Sequence, residues 1–403
     1  MTSFFSNVKE AFNFIYRVID KCLDEGFNYY RLVFTFNPEY FAHPELLPQA
    51  WIRKETLVLM MFSSRFHALV IGPPGIGKTT ITDFLYRIDF PFARCTLITT
   101  ESGSATTAAG LRDTIIELSQ KVIKEFVEEE RSNLSWIPNG ILHAEEYLRC
   151  SERVRDILKT VMAERRLNIT LSRIYKERMG LFDTYFCPIN VYADANPPKA
   201  DTWLGPDFNS RKEQLKPLVE ELANIRRFSV IIICDDYDAF QKALIAKYKE
   251  FIKTHPHDAL LNGEFYDKYM KFVFERRKIK VKYTEIPIKL IEFFMGLDYL
   301  YREGKLLLPI SYGDYAEKVF GIAEAFARIK GHREITEDDW RDVMYYYQRV
   351  VETLGDITKT SKEYIFREAI REGQKIIDRL STKTKEDFLK KLKEEVETKY
   401  EIH

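Results

Sequence analysis

The chain has 403 residues, which is enough for two or three domains with cores of their own. Lysine plus arginine and aspartate plus glutamate balance at 61 each, so a dedicated nucleic-acid coat protein is excluded and only local basic patches remain. Five widely spaced cysteines without a C-x-x-C pair, no apolar run approaching ~18 residues and no signal-peptide pattern predict a cytoplasmic protein with reduced thiols and no membrane partner. The richness in lysine, glutamate, isoleucine and tyrosine hints at a thermophile.

The N-terminal region, residues 1–46, carries apolar side chains at helical spacing before a series of Asn-Pro, His-Pro and Leu-Pro pairs. The spacing predicts one or two helices that pack on the main domain. A docking surface for a partner is the alternative. The apolar positions are Phe4, Phe5, Val8, Phe12, Ile15, Ile19 and Cys22.

A glycine-rich G-x-x-x-x-G-K-T motif follows the apolar run 68–71 and precedes the helix-like sequence ITDFLYRI. Its glycines let backbone amides point at phosphate oxygens, and the start of the following helix favours an anion. The lysine offers a charge to the β- and γ-phosphates, and the first threonine offers a hydroxyl to Mg²⁺. The motif predicts binding of a nucleoside triphosphate, ATP with Mg²⁺, by Gly72, Pro73, Pro74, Gly75, Ile76, Gly77, Lys78, Thr79 and Thr80.

Two later apolar segments end in paired acids and compete for the magnesium and water-activating roles. GILHAEEY ends in Glu145 and Glu146 and precedes a helix capped by Ser151, whereas SVIIICDDYDAF ends in Asp235 and Asp236. Taken alone, the second is the better match. However, Asp235 lies more than twice as far along the chain from the loop lysine, which would require a large insertion within the nucleotide core. Spacing therefore favours the glutamate pair, where one acid holds Mg²⁺ and the other polarises water.

Between these segments, FARCTLITT is a second predicted strand, and PINVYADANPP is a further strand that ends in Asn196. Arg226 and Arg227 directly precede the last strand, SVIIIC. The chain thus presents a phosphate loop, an acidic strand end, an asparagine strand end, and arginines before a final strand.

This order resembles the core of an AAA+ ATPase, in the branch that contains the minichromosome maintenance helicases and the MoxR-type ATPases. SGSATTAAGL resembles the start of the insertion in the second helix of those helicases. GILHAEEYLRCSERVRDILKTVMAERRLNI, VYADANPP and NIRRFSVIIICDD resemble the acidic, sensor and arginine-finger segments. EAFARIKGHREITEDDWRDVM is similar to the lid helices, so the resemblance covers residues 47–355.

The resemblance implies an α/β fold: a P-loop AAA+ αβα sandwich with a parallel sheet, followed by an all-helical lid and C-terminal helices. The expected divisions are the N-terminal extension 1–46, the nucleotide-binding core 47–240, the lid 241–356 and a charged helical region 357–403. The core would contain the helix-2 insertion and a hairpin before the sensor strand. The last region resembles half of a winged-helix module, or is a helical hairpin that stabilises the lid or a ring contact.

The resemblance also assigns roles, each with a simpler alternative as a solvated strand end, a turn residue or a surface salt bridge. Lys78 would bind phosphate, and Glu146 would activate water. Asn196 would sense the γ-phosphate, and Arg227 would complete the site of a neighbouring subunit. The magnesium ligands would be Thr79 and Glu145.

Three departures from the family pattern stand out. Glu145 replaces a shorter aspartate. The start of the lid helix, residues 309–314, lacks the usual arginine, so Arg328 substitutes for it or hydrolysis is weak. The large N-terminal DNA-binding region of the helicases has no counterpart among the residues before the core.

Residues 165–186 alternate apolar and basic side chains and predict a β-hairpin. In the resembled helicases such a hairpin enters the pore of a hexamer, so Arg173, Lys176 and Arg178 are expected to contact DNA; a solvated hairpin is the alternative. The stretch 255–285 is expected to be an irregular insertion whose basic run RRKIKVK is a second contact surface.

These patterns favour a helicase-like motor that forms a homo-oligomeric ring, expected to be hexameric, and acts on single-stranded or forked DNA in replication. A MoxR-like chaperone that remodels protein partners is the first alternative. A nucleotide-gated assembly protein with little turnover is the second.

Overall fold

A computed structural model describes residues 8–97, 106–126, 136–168, 184–196, 215–216, 225–234, 246–248, 250, 253–254, 263–306, 315–353, 362–379, 387 and 390. Within them most of the buried apolar side chains, from the first helix to the last, form one connected core, and Val122, Phe126 and Ile137 form a small separate cluster. No helix among these residues combines the length and apolar character needed to cross a bilayer.

A five-stranded parallel sheet lies at the centre of the protein. Its strands are β1 Ala68–Ile71, β2 Phe92–Thr96, β3 Gly140–Glu145, β6 Ile189–Ala195 and β7 Val230–Ile233. They lie in the order β2-β3-β6-β1-β7, with Ile71 of β1 paired to Ala195 of β6 on one side and to Ile233 of β7 on the other. Strands β1, β6 and β7 are buried along their whole length and are almost entirely apolar, which is typical of strands covered on both faces.

Helices surround the sheet and continue beyond it. Their bounds are α1 Val8–Glu25, α2 Tyr29–Thr35, α3 Pro48–Phe62, α4 Asp83–Arg87, α5 Ala108–Phe126, α6 Glu152–Glu164, α7 Gly263–Arg277, α8 Ile288–Arg302, α9 Tyr315–Lys330, α10 Glu337–Thr353 and α11 Lys362–Arg379. Helix α5 packs on β2 and β3, α6 packs on β6, and α10 packs on β7. The expected α/β class with a parallel sheet is therefore confirmed, and the packing is compatible with an αβα sandwich.

Because all five strands run the same way, the sheet has two chemically different edges. The carboxyl edge is the side where the strands end, and it carries Gly72, Glu146 and Asn196 directly after β1, β3 and β6. The amino edge is the side where the strands begin, and Arg227 lies there, three residues before β7. The parallel topology alone brings the loop, acid and asparagine segments to one edge.

A second, two-stranded sheet stands where the hairpin was predicted. Strand β4, Arg166–Asn168, pairs antiparallel with β5, Thr184–Phe186, so the base of the hairpin is present. The three basic residues predicted to contact DNA, Arg173, Lys176 and Arg178, lie outside the described residues.

The expected irregular insertion is partly wrong, because residues 263–277 form helix α7. Its apolar side chains, including Phe265 and Tyr269, are buried against the N-terminal helices and α3. Arg277, the second residue of the basic run RRKIKVK, is fully buried and paired with Glu125. That arginine is therefore part of the interior and not of a contact surface.

Helix α11 belongs to the charged C-terminal region and packs closely on α8. A Cβ added to Gly296 of α8 would lie 1.7 Å from the Ala369 carbonyl oxygen, and one added to Gly373 would lie 1.7 Å from the Glu292 carbonyl oxygen. Two glycines thus let the helix backbones touch. Lys305 reinforces the contact with an ion pair to Glu368 at 2.7 Å.

Candidate functional site

The glycine-rich loop between β1 and α4 has a backbone that glycine alone adopts easily. Gly75 and Gly77 have φ angles of +84° and +78°, in the left-handed region. A Cβ on Gly77 would also lie 2.5 Å from Cε2 of Tyr40. Glycine at position 77 is therefore required both by the backbone conformation and by the aromatic ring packed against it.

The N-terminal region and helix α3 hold this loop through hydrogen bonds to its carbonyl groups. The Tyr40 hydroxyl donates to the Ile76 carbonyl at 3.0 Å, and Arg53 donates to the same carbonyl at 3.2 Å and to the Tyr40 hydroxyl. Asn37 Nδ2 donates to the Thr80 carbonyl at 2.8 Å. The sequence reasoning missed these contacts, since nothing local in the chain pairs a tyrosine with a loop 36 residues later.

The segment after the loop is less helical than its sequence predicted. Thr80–Thr82 is a 3-10 turn, and α4 extends over only five residues, Asp83–Arg87. A helix macrodipole requires aligned peptide groups over several turns. The expected help from a helix N-terminus is therefore small, and the charge of Lys78 carries more of the attraction for an anion.

Lys78 lies folded inward at the carboxyl edge. Its Nζ donates to the carbonyls of Gly72 and Pro73, at 2.8 and 3.0 Å, and to Asn196 Oδ1 at 2.8 Å. Burial lowers the pKa of the ammonium group, and nearby Asp194 opposes that shift only in part. The loop lysine and the predicted sensor asparagine are thus in direct contact, although 118 positions separate them in sequence.

Glu146 completes this series of contacts. Asn196 Nδ2 donates to Glu146 Oε1, so one amide side chain joins the lysine to the predicted water-activating acid. Burial raises the pKa of Glu146, and Arg149, at 3.8 Å, opposes this shift only in part. A carboxylate with a raised pKa is a stronger base, which suits proton abstraction from water.

The backbone of Glu146 is strained. Its φ and ψ of 58° and 40° lie in the left-handed region, which costs a residue with a Cβ about 1–2 kcal/mol. The Glu146 amide donates to Asp194 Oδ1 at 3.3 Å, and the Glu146 carbonyl accepts from the Arg149 amide at 2.9 Å. Strain of this kind is concentrated at functional sites, where surrounding groups enforce it.

The two predicted magnesium ligands do not touch each other. Glu145 Oε2 accepts a hydrogen bond from the Thr96 hydroxyl at 2.6 Å, and its Oε1 lies 3.6 Å from Nε of Arg94. The same arginine donates to the Thr79 carbonyl at 3.0 Å and to Asp83 at 2.7 Å. Arg94 therefore stands between the two predicted ligands, a contact that the sequence did not indicate.

The donor chemistry fits a magnesium nucleotide. Mg²⁺ prefers oxygen ligands and is commonly held by one or two carboxylates together with substrate phosphates. Thr79 supplies a hydroxyl and Glu145 a carboxylate beside a loop that offers positive-φ glycines and a buried ammonium group. No group of three or more histidine, cysteine or acidic side chains suited to a metal occurs within the described part of the chain.

Arg227 lies at the opposite edge of the sheet from Lys78. It is exposed and precedes β7, whose amino end is one strand length, about 13 Å, from the carboxyl edge. The arginine is therefore separated from the loop of its own chain. The competing acids Asp235 and Asp236 lie outside the described residues.

Arg328 is not the missing lid arginine. It is fully buried at the amino edge, pairs with Glu324 at 2.6 Å, and donates to the carbonyls of Phe62, Trp136 and Ile279. All of these partners lie away from the glycine-rich loop. The hypothesis that Arg328 takes the nucleotide-contacting role is wrong, because its guanidinium group is used to join α9 to α3.

Sequence comparison adds no relative to this description. No protein-family model matches the chain, and no curated protein is significantly similar to it.

Proposed function

We propose that the protein binds ATP with Mg²⁺ and hydrolyses it. The observation that carries the proposal is the hydrogen-bonded series Lys78, Asn196 and Glu146 beside a loop with two positive-φ glycines. A cation for phosphate, an amide for sensing and a carboxylate for proton abstraction are the groups that phosphate transfer to water requires.

The described contacts suggest how these side chains divide the work. Lys78 exchanges its bonds to the Gly72 and Pro73 carbonyls for bonds to phosphate oxygens. The third bond of Lys78, to Asn196 Oδ1, is kept, and Asn196 Nδ2 orients Glu146. Oε2 of Glu146 has no hydrogen-bond partner among the described residues, and it would accept the proton of the attacking water. Mg²⁺ held by Thr79 and Glu145 would neutralise charge on the phosphates.

We further propose that Arg227 acts on the site of a neighbouring copy. Its place at the amino edge separates it from its own Lys78, whereas a head-to-tail ring apposes unlike surfaces of successive subunits. A homo-oligomeric ring, expected to be hexameric, would thus place Arg227 of one subunit against the loop of the next. An arginine supplied in this way increases phosphoryl-transfer rates by about 10³- to 10⁵-fold.

Mixing two inactive variants tests ATP hydrolysis and the shared site together. Lys78→Ala removes the loop cation and Arg227→Ala removes the trans arginine, so each alone should lose at least about 100-fold of its turnover. Mixed rings contain sites with Lys78 from one variant and Arg227 from the other, and turnover should return on mixing. Arg226→Ala, the exposed neighbour, is the matched control and should stay active. Two inactive variants that stay inactive when mixed contradict a shared site.

For the substrate of the motor, we propose DNA contacted by the hairpin whose base is formed by β4 and β5. The supporting observations are this hairpin and the basic residues Arg173, Lys176 and Arg178 between its strands in the sequence. A MoxR-like activity on protein partners is the alternative, and it would leave turnover insensitive to DNA.

Measuring ATP turnover with single-stranded and forked DNA distinguishes these substrates. Stimulation by DNA should be lost when the three hairpin residues are replaced by alanine, and DNA binding should weaken steeply with salt. The control variant replaces three exposed basic residues far from the hairpin in sequence and removes the same total charge. These residues are Lys271 on α7, Arg302 on α8 and Arg341 on α10. Equal turnover with and without DNA contradicts the helicase-like reading.

The burial of Arg328 gives specific support to a third function, a nucleotide-gated assembly protein with little turnover. The arginine proposed to replace the lid residue is committed to structure. Slow hydrolysis with tight ATP binding and ATP-dependent ring formation, measured by sedimentation, would favour this function over a motor.

A further inference from the structure

Two buried polar side chains interrupt the apolar strands beside the site and have no role in the proposed chemistry. His143 lies on β3 and is fully buried, and Asp194 lies on the neighbouring β6 and is 3% exposed. Polar groups in such positions are costly unless they are hydrogen-bonded. Their partners therefore indicate what they do.

The two side chains form a continuous connection across the carboxyl edge. Thr82 Oγ1, in the turn after the loop, lies 3.1 Å from His143 Nδ1. His143 Nε2 lies 2.8 Å from Asp194 Oδ2, and Asp194 Oδ1 accepts from the Glu146 amide at 3.3 Å. Both oxygens of the carboxylate are thus engaged, one by the histidine ring and one by the strained backbone of Glu146.

This connection ends at the backbone amide of Glu146, the residue with the least favourable backbone conformation in the site. Glu146 has φ of 58°, and relaxation of that angle would swing its carboxylate away from Asn196. A carboxylate bonded on one oxygen alone could rotate and release the amide. The second bond, from His143, holds Asp194 in the orientation that the Glu146 amide needs. The Tyr192 ring packs edge-on against the His143 ring, with 5.2 Å between the ring centroids, and this contact limits movement of the histidine.

We propose that Asp194 and His143 are positioning residues that hold Glu146 in its left-handed conformation and connect it to the turn after the loop. The inference rests on the proposed function for the role of Glu146 in hydrolysis. The placement of its backbone is a property of the nucleotide-free protein and can be measured separately.

Substitutions at Asp194 separate positioning from charge. Asp194→Ala removes the acceptor for the Glu146 amide. Asp194→Asn keeps an oxygen for that amide and an NH₂ group for His143, whose ring can take the other tautomer. Tyr192→Phe is the matched control, because the Tyr192 hydroxyl is buried without a hydrogen-bond partner in the described structure.

The first measurement is hydrogen exchange at the Glu146 amide without nucleotide. Exchange should accelerate roughly tenfold or more in Asp194→Ala and stay within about twofold of wild type in Asp194→Asn and Tyr192→Phe. The second measurement is ATP turnover. Asp194→Ala should lower kcat about 10- to 100-fold with KM nearly unchanged, and Asp194→Asn should restore most of it. If Asp194→Ala does not fold, His143→Leu replaces it, since it removes the bond to Asp194 Oδ2.

The outcomes are distinct. Unchanged exchange in Asp194→Ala overturns the inference, whether or not the protein hydrolyses ATP. Loss of kcat in Asp194→Asn equal to that in Asp194→Ala also overturns it, because charge and not position would then matter. A wild-type protein without turnover, combined with accelerated exchange in Asp194→Ala, supports the positioning of Glu146 and overturns the proposed hydrolysis.

Discussion

The two edges of the sheet both bury charged and polar side chains, but they satisfy them differently. At the amino edge, Arg277 donates to the carbonyls of Met61, Asn139 and Pro138, and Arg328 likewise donates to three carbonyls. At the carboxyl edge, Lys78, Asn196 and Glu146 bond to one another through their side chains, and Lys78 also donates to two carbonyls of its own loop. The guanidinium groups at the amino edge thus bridge carbonyls of separate elements, whereas the groups at the carboxyl edge form a series of side-chain contacts within one site.

This difference separates a structural use of charge from a chemical one. A guanidinium group bound to carbonyls of three elements can change partners only if those elements move apart. Side chains that bind one another can change partners by rotating about single bonds. The amino edge therefore joins the helices to the sheet, whereas the carboxyl edge can rearrange around a ligand. Arg227, exposed at the amino edge, is an exception that suits a contact with a neighbouring subunit.

The largest effect is expected from breaking the amino edge. Arg328→Met leaves Glu324 buried without its cation and should lower the free energy of unfolding by about 3–5 kcal/mol in urea titrations. Adding Glu324→Leu should recover much of that loss. Arg341→Met, which removes an exposed ion pair, is the control and should cost under about 1 kcal/mol. A small loss in Arg328→Met would mean that the two edges do not differ as described.

At the carboxyl edge, charge should matter for turnover more than for stability. Glu146→Gln should lower turnover about 100-fold, equivalent to about 2.7 kcal/mol of activation free energy, while ATP stays bound. Glu145→Gln should instead raise the Mg²⁺ concentration needed for half-maximal turnover. Asp236→Asn should leave hydrolysis largely intact. If Asp236→Asn abolishes turnover and Glu146→Gln does not, the acidic strand has been assigned wrongly.

The glycine-rich loop is held through hydrogen bonds to its backbone and through contact with Tyr40. Adding a methyl group to one of its glycines should therefore lower the stability of the protein. Gly77→Ala adds a Cβ against Tyr40 to an unfavourable φ, so it should cost about 2 kcal/mol of stability, measured by thermal unfolding. Gly75→Ala meets no atom within 4 Å and should cost about 1 kcal/mol from φ alone. Equal losses would argue against Tyr40 as the support of the loop.

The smallest effect concerns Lys54, a buried cation whose Nζ donates to the Phe34 carbonyl at 3.2 Å. Burial holds the pKa of Lys54 well below its ordinary value, so the unfolded chain binds a proton that the folded chain releases. Stability should therefore rise as pH increases from the lowered pKa toward the ordinary lysine range. Lys54→Met should stabilise the protein by about 1 kcal/mol at pH 7, and this gain should shrink toward pH 10. A gain independent of pH would contradict the assignment to charge burial.

Much of the framework was predictable because its signals are local. Continuous apolar runs such as residues 230–233 predicted buried strands, and helical spacing of Phe12, Ile15 and Ile19 predicted α1. The same local reasoning failed for residues 263–277, which were expected to be irregular but form a helix rich in aromatic side chains. It also failed at Ser151, which precedes α6 but makes no side-chain capping hydrogen bond.

The sequence by itself determined the glycine-rich loop, the order of the strands along the chain and the acid and asparagine that follow two of them. Tertiary structure alone decided which of these groups meet, because that depends on the pairing of strands far apart in sequence. It placed Asn196 between Lys78 and Glu146, and it turned Glu146 into a left-handed conformation supported by Asp194. It also buried Arg328, because only in the packed fold do three carbonyl groups lie within hydrogen-bond distance of one guanidinium group.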